Sequence, residues 1–415
     1  MLSRPRATLE REVLRFLGAR EGDLLEFARH LIAAPSPNPS GDERAVAELV
    51  RQAMSSLGYA QVATHSISER RPNLVGQVGT RQNGGSLVLN GHLDTKPAGD
   101  ESAWEIGPYD PVVRAGRLHG LGATDMKGAV AAMVFAGAAL AETDALDGIL
   151  KVVLTADEEA GSRFGARFLA GRPEAAADAV LVGEPTGMQT PWAYVAVASR
   201  GIACFRVEVR GTQMHSSLSD QVPSINASVK LAQVLSRMGA DFRPSFPADP
   251  RVPGGPTVNL GVTLGGGVYY GVYPGHAEFG VDVRTVPGMT PAGLAADLNT
   301  FLDRLRAEDP DLEVRAEPVS DLEWFPPSAV DPDHPLVAAA LGATRLVTGR
   351  DVPLGTMPAF TDGTHWHLAG MACIPALGPG SLLLAHRPNE YVAVQEVLEA
   401  ARIYALTALR YLSPE

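Results

Sequence analysis

Cysteine is scarce in this chain: two residues in 415, Cys204 and Cys373, far apart in sequence. No disulfide framework can be built from them, and they form no metal or redox spacing, so each reads as a small buried apolar side chain. Positive charge is short as well. Thirty-five Lys and Arg stand against 47 Asp and Glu, a formal net charge of −12. Such a surface repels phosphate backbones and anionic membranes, so nucleic acid and membrane are not expected partners and small molecules fit better. Long apolar runs are missing too. The longest, Gly128 to Ala141, falls short of the roughly 18 residues a membrane span needs. The first twenty residues carry charge throughout and lack the apolar core of a secretory leader, which makes the cytoplasm the expected compartment.

What is present is the composition of a folded globular protein, 45% hydrophobic and 20% charged. At 415 residues the chain exceeds one ordinary core, so two domains are expected. Leu24, Leu25, Phe27, Ala28, Leu31 and Ile32 recur at helical spacing until Pro35, Pro37 and Pro39 stop them, and a second helix is expected from Asp42 to Leu57. The runs "NLVGQVG", "SLVLNG", "LKVVLTA", "AVLVG" and "ACIPALG" are continuously apolar, the pattern of strands covered on both faces. Helical segments such as Met126–Glu142 and Gly165–Leu169 alternate with them, which predicts a doubly wound, mostly parallel α/β layer.

From about Ser199 the texture changes. "GIACFRVEVRG" and "AEFGVDVRTVPG" alternate apolar and polar residues, as half-buried antiparallel strands do. With helices near Asn226–Met238 and Pro291–Ala307 and a strand at Leu312–Pro318 they predict an inserted α+β unit, β-α-β-β-α-β in order. The expected division is 1–198 and 319–415 for the larger domain and 199–318 for the insert, with the chain re-entering the first domain through a helix from Leu336. "RQNGGS" reads as a turn and "LGGG" at 264–267 as a tight loop.

Four apolar runs end in ionisable groups: "LVLNGHLD" in His92 and Asp94, "LKVVLTADEE" in Asp157, Glu158 and Glu159, "AVLVGE" in Glu184, and "ACIPALGPGSLLLA" in His386. Asp125 in "GLGATDMKGAV" opens the Ala-rich helix. Strand ends of an open parallel sheet face one crevice, so these groups are expected to converge. Singly each has a plainer reading: a strand-end His as a hydrogen-bonded structural residue, Asp94 as a turn cap, Asp125 as a helix N-cap, the glutamates as solvated loop charges. Gathered together, the carboxylates would repel one another without a positive centre. Two divalent cations supply it, because oxygen and nitrogen donors suit zinc and one carboxylate can bridge two ions. His92 is then expected to bind a metal while Asp94, one pleat on, holds its other ring nitrogen.

The segments "GHLDT", "GATDMKG", "TADEEAGS", "VGEPT" and "GPGSLLLAHRPNEYV" resemble the signature segments of the dizinc hydrolases that include acetylornithine deacetylase, succinyl-diaminopimelate desuccinylase, aminoacylase and glutamate carboxypeptidase. They fall in the same order across nearly the whole chain. The resemblance implies that His92, Asp125 and Glu184 hold one metal, that Asp125, Glu159 and His386 hold the other, and that zinc is the usual ion, with cobalt or manganese as alternatives. It implies Glu158 as the general base that moves a proton from water to the leaving nitrogen, Asp94 as its partner in catalysis, and a cis Asp125–Met126 peptide. The insert resembles a lid and dimerisation domain. "RGTQMHSSLSDQVPSINA" places His215 as the oxyanion contact, usually supplied by the partner of a homodimer. "TVNLGVTLGGG" and "GVDVRTVPG" place Asn259 and Arg284 on the substrate carboxylate. For Arg284 a strand charge paired with Asp282 or Glu278 is the competing reading.

The expected activity is a metal-dependent amidohydrolase acting on an N-acyl amino acid with a free carboxylate. A di- or exopeptidase cutting short peptides, or a binding protein that has lost catalysis, are the alternatives. One departure stands out: "LHGLGATD" puts His119 and Leu121 where the family has an aromatic and an arginine before the bridging Asp. His365 and His367 in "TDGTHWHLAG" are expected to serve the pocket or the structure rather than a third metal. His30, His65, His276 and His334 are expected at surfaces or turns.

Overall fold

A computed structural model describes residues 4–39, 41–79, 85–320, 322 and 324–413. The chain divides into two compact units: Met1–Ser199 with Ser328–Met357 and Thr361–Glu415, and Arg200–Pro327 with Pro358–Phe360.

The first unit is built on a sheet of six strands in the order Gln61–His65, Asn73–Val78, Ile149–Thr155, Ser86–His92, Ala179–Val182, Ala372–Ile374. The last four run parallel to one another, while Asn73–Val78 pairs antiparallel with both its neighbours. The strand Ser86–His92 is buried from Leu87 onward. Its period of two splits it cleanly, Leu87 and Leu89 joining the larger core with Leu150, Val152 and Leu181, and Val88 joining a second core with Val153, Val180 and Trp366. Helices therefore cover both faces, which is why the strand reads as one apolar run. Cutting Leu89 back to Ala would cost about 2–5 kcal/mol through the cavity left behind.

On the larger core lie the helices Gly128–Thr143 and Val394–Leu412. The segment Ala123–Thr143 has the length and apolarity of a membrane span, yet it is buried through Leu140 inside the unit, and a helix apolar all round is what such a position requires. Its small residues allow close approach. A Cβ on Gly137 would fall 2.1 Å from the Tyr59 hydroxyl. The helix expected from Met126 starts at Gly128, because Asp125 and Met126 have non-helical dihedrals and a cis peptide joins them. Arg6–Ala19 is also helical, burying Leu9, Val13 and Leu17 at four-residue spacing between charged residues.

The second unit holds an antiparallel sheet in the order Thr257–Gly266, His276–Arg284, Ala203–Arg210, Glu313–Pro318, with helices Ala227–Asp241 and Pro291–Glu308. Pairing of the Ala203 strand continues past Pro318: Cys204 accepts from the Val319 N–H and donates to Leu322, and Ile202 bridges Phe325. The expected loop at "LGGG" is in fact strand. After a bulge, Leu264, Gly265 and Gly266 pair with Phe279, Glu278 and Ala277. Glycine is required there for close approach, since a Cβ on Gly266 would lie 2.7 Å from Ala277. The turn expected at "RQNGGS" falls largely outside the described residues. His30 and His276 are exposed, His65 is half-buried, and His334 caps the helix Pro335–Thr348 by accepting the Leu336 N–H at 3.2 Å.

Candidate metal centre

Three adjacent parallel strands set the site. His92 is level with Thr155, and Asn90 with Val182, so the residues that follow Thr155 and Val182 emerge beside His92. These are Glu158, Glu159 and Glu184. Asp125 enters from the start of the core helix, and His386 from the turn after the strand Gly378–Ser381, with φ of 61°. All seven of the expected first-unit site residues, Asp94 included, meet at this end of the sheet.

Within the cluster two donor groups share one residue. His92, Asp125 and Glu184 offer ligand atoms within 4.8 Å of one another, and so do Asp125, Glu159 and His386. The His92 Nε2 lies 3.0 Å from Asp125 Oδ1 and 3.6 Å from Glu184 Oε1. The His386 Nε2 lies 3.1 Å from Asp125 Oδ2 and 3.0 Å from Glu159 Oε1. Each oxygen of Asp125 thus faces one imidazole, the arrangement a bridging carboxylate needs.

The electrostatics show what such a cluster lacks. Burial drives the Glu158 and Glu184 carboxyls well above the ordinary range, and neighbouring carboxylates push them further. Burial opposes charge on the His92 ring, but its hydrogen bond to Asp125 and the surrounding carboxylates outweigh that and raise it well above normal. At His386 burial also opposes charge, yet Asp125 and Glu159 lift it to about 10. Asp125 is pushed down: its two imidazole partners overcome the burial that would raise it. These shifts answer to one need, positive charge among buried carboxylates, which divalent ions would supply. By number, element and charge the donors fit two such ions.

The partners of these groups correct one expectation. Asp94 does not hold the His92 ring chiefly through its carboxylate: His92 Nδ1 meets the Asp94 backbone carbonyl at 3.0 Å, with Oδ1 at 3.6 Å. The carboxylate instead accepts the backbone N–H groups of Glu158 and Glu159, both at 3.1 Å. Asp94 is therefore a clamp on the loop that carries both glutamates. The reason is local: the chain turns after His92, bringing its own carbonyl to the ring and aiming the side chain across to the next strand end.

Three buried residues have no counterpart in the sequence reading. Glu390 accepts the N–H groups of Thr124 at 2.8 Å and Asp125 at 3.2 Å, and burial with the Asp125 charge raises it to about 8. It braces the loop that carries Asp125, where Leu121 is buried, and in the sequence it is only a letter of "RPNEYV". Lys127 is fully buried, its ammonium donating to the Ala34 carbonyl at 2.7 Å, and burial pulls it down to about 7 against the attraction of Asp94 and Glu390. Asp362 accepts from Ser162 at 2.5 Å and Thr155 at 2.6 Å, tying the far end of the glutamate loop. His119 packs its ring against Tyr391. His365 is buried, its basicity lowered to about 4 by burial and then by Arg167. Among the described residues neither His365 nor His367 joins a metal-type donor group.

His215, Asn259 and Arg284 lie in the second unit. His215 is exposed, and its Nδ1 stands 2.8 Å from the Ser217 hydroxyl. Asn259 is exposed on the edge strand opposite Asp282. Arg284 makes a two-pronged pair with Asp282, 2.9 Å at each contact, so the strand-charge partner named for it is present.

The family model described as peptidase family M20/M25/M40 matches residues 88–410. Among curated proteins the chain is similar to succinyl-diaminopimelate desuccinylase of Halorhodospira halophila, 30% identical with 94% of this chain and 98% of the relative covered. It is similar also to acetylornithine deacetylase of Proteus mirabilis, 28% identical with 89% and 91% covered. Among solved structures it is similar to an M20 family metallo-carboxypeptidase from Sulfolobus solfataricus, with a TM-score of 0.73 at 19% identity over 94% and 99% of the two chains.

Proposed function

The chain belongs to peptidase family M20/M25/M40, and from that membership we propose which bond it cuts and with which residues. It is a metal-dependent amidohydrolase. Its substrate, in our reading, is an N-acyl amino acid with a free carboxylate, from which it removes the acyl group. One observation carries this: the relatives it matches over nearly their whole length include, by name, desuccinylases and a deacetylase.

His92, Asp125 and Glu184 would hold one divalent ion and Asp125, Glu159 and His386 a second, zinc in the first instance and cobalt or manganese otherwise. When bound, such ions supply Lewis-acid polarisation of the scissile carbonyl and a lowered pKa for water. Glu158 takes the proton of the attacking water and delivers it to the leaving nitrogen. Its burial keeps its proton affinity high, as that exchange requires. Asp94 keeps Glu158 and Glu159 in place by their backbone. His215 donates to the developing oxyanion, and Asn259 and Arg284 receive the substrate carboxylate, Arg284 exchanging or sharing its pairing with Asp282.

The insert, 199–318 by sequence, we assign as lid and dimerisation domain, with His215 serving the partner of a homodimer. In support, Thr257–Gly266 is an edge strand with Val262 and Leu264 exposed at 55% and 67%, an unprotected edge of the kind that pairs with another chain. Two free cysteines fit a reducing cytoplasm.

The test is a hydrolysis screen of N-acetyl, N-succinyl and N-carbamoyl amino acids and dipeptides, run with zinc, cobalt and manganese and after chelation. Turnover of acyl amino acids that stops on chelation and on esterifying the free carboxylate is expected. Cleavage of dipeptides alone would make it a peptidase, and no cleavage of either class by the metal-loaded chain would leave only the binding-protein reading.

A further inference from the structure

Behind the glutamate loop lies a buried polar chain that the donor groups do not account for. The segment "APSPNP" before the helix Arg44–Ser56 is laced to the residues after His92: the Asn38 N–H donates to the Thr95 carbonyl at 2.8 Å, the Thr95 N–H to the Ser36 carbonyl at 3.0 Å, and the Ser36 hydroxyl to the Leu93 carbonyl at 2.7 Å. Asn38 is thereby carried under the loop, 1% exposed. Its Nδ2 donates to Asp94 Oδ2 at 2.8 Å and to Asp157 Oδ1 at 3.0 Å, while its Oδ1 accepts from Arg71 Nη2 at 3.0 Å. Arg71 in turn meets Glu43 Oε1 at 2.5 Å, with side chains 10% and 0% exposed.

Every bond of that amide is directional. Both amide hydrogens point at carboxylates and the carbonyl points at a guanidinium, so the group has one orientation. The two carboxylates it joins are the ones that shape the loop. Asp94 accepts the Glu158 and Glu159 N–H groups. Asp157, itself at φ of 67°, accepts the Phe164 N–H at 3.1 Å on its side chain and the Ser162 N–H at 2.6 Å on its carbonyl. Without a donor between them, two buried carboxylates side by side would repel each other and spread. Asn38, Glu43 and Arg71 all precede the stretch that the family model matches, and none belongs to the segments that carry the resemblance.

We propose that Asn38, held by the Arg71–Glu43 pair, is a positioning residue: by bridging Asp94 and Asp157 it sets where Glu158 and Glu159 stand. The proposal rests on the roles of those two glutamates given above. It predicts that Asn38 acts on the second ion and on proton transfer while leaving substrate binding alone.

The experiment compares the full chain with Asn38→Ala, Asn38→Asp and Asn38→Ser by cobalt titration followed by absorbance, by kcat and KM on the substrate found in the screen, and by melting temperature. Loosening Glu159 should weaken the second cobalt ion about 10-fold or more and lower kcat by about 10–100-fold, the usual cost of removing a group that orients metal ligands, with KM within about twofold. Asn38→Asp, equal in size but a third carboxylate, should be worse than Asn38→Ala, and Asn38→Ser, keeping one donor, should recover part of the loss. A lowered melting temperature with cobalt binding and kcat both within about twofold of the parent would overturn the proposal, leaving Asn38 a core residue only. If Asn38→Ala does not fold, Arg71→Lys is read in its place, with the same pattern expected and the same result contradicting it. Should the parent chain cleave none of the acyl amino acids, the function proposed above fails, and the cobalt titration alone still decides this one.

Discussion

The two donor groups share Asp125 and differ in cover. In one, His92, Asp125 and Glu184 have side chains 1%, 7% and 5% exposed. In the other, Glu159 is equally hidden but His386 is 44% exposed. The difference traces to what carries each imidazole: His92 ends a central strand flanked by two others, and His386 rides a turn with positive φ. A donor on a central strand is placed by the same ladder and core that fold the sheet, so its geometry is rigid. A donor on a turn can adjust and meets solvent. The closed group is the more firmly placed of the two and the open group the more accessible.

Removing one imidazole from each group gives the largest contrast. His92→Ala should abolish detectable turnover and leave the folded chain without either ion by elemental analysis, because Asp125 loses the partner that aims its Oδ1. His386→Ala should retain the ion of the closed group and lose the other. Equal metal loss in the two variants would break the comparison. The next effect belongs to Glu158, which lies in neither group. Glu158→Gln should lower kcat by about 10²–10⁴-fold, as expected for losing a general base, while metal content stays at two ions per chain. A fall in metal content instead would make Glu158 a ligand.

The smallest effect probes the floor beneath the glutamate loop. Glu43 is held up to about 7, by burial first and then by the Asp94 charge, with Arg71 pulling the other way. Between the ordinary value of 4.5 and about 7 the folded chain keeps a proton that the unfolded chain has released. Stability should therefore fall as pH rises through that window and level off above it. Glu43→Gln should flatten the fall in melting temperature, and an unchanged slope would place Glu43 outside the titrating network.

Much of this was legible before any coordinates. His92 and Glu184 end apolar runs, and a parallel sheet brings the ends of neighbouring strands together whatever their separation along the chain, so their meeting follows from pattern alone. Asp125 and His386 lie off those strands; a helix start and the end of an apolar run marked them, and resemblance divided the donors between two ions. What stayed hidden is what only packing determines. Asn38 sits among prolines and reads as loop; Arg71, Glu43 and Lys127 have no local mark that tells a buried charge from a solvated one. Asp94 was assigned to the right neighbourhood and the wrong bond, because two-residue spacing along a strand does not say which atoms of a turn will face the ring. The "LGGG" segment went wrong because glycine serves both turns and close strand contact, and only the partner strand distinguishes them.

The central claim, that one carboxylate joins two cation sites at the end of the first unit's sheet, is tested most directly by anomalous diffraction at the zinc edge from zinc-loaded crystals. The account predicts two peaks, one against His92, Asp125 and Glu184 and one against Asp125, Glu159 and His386. An active crystal with no peak at Asp125 would contradict it.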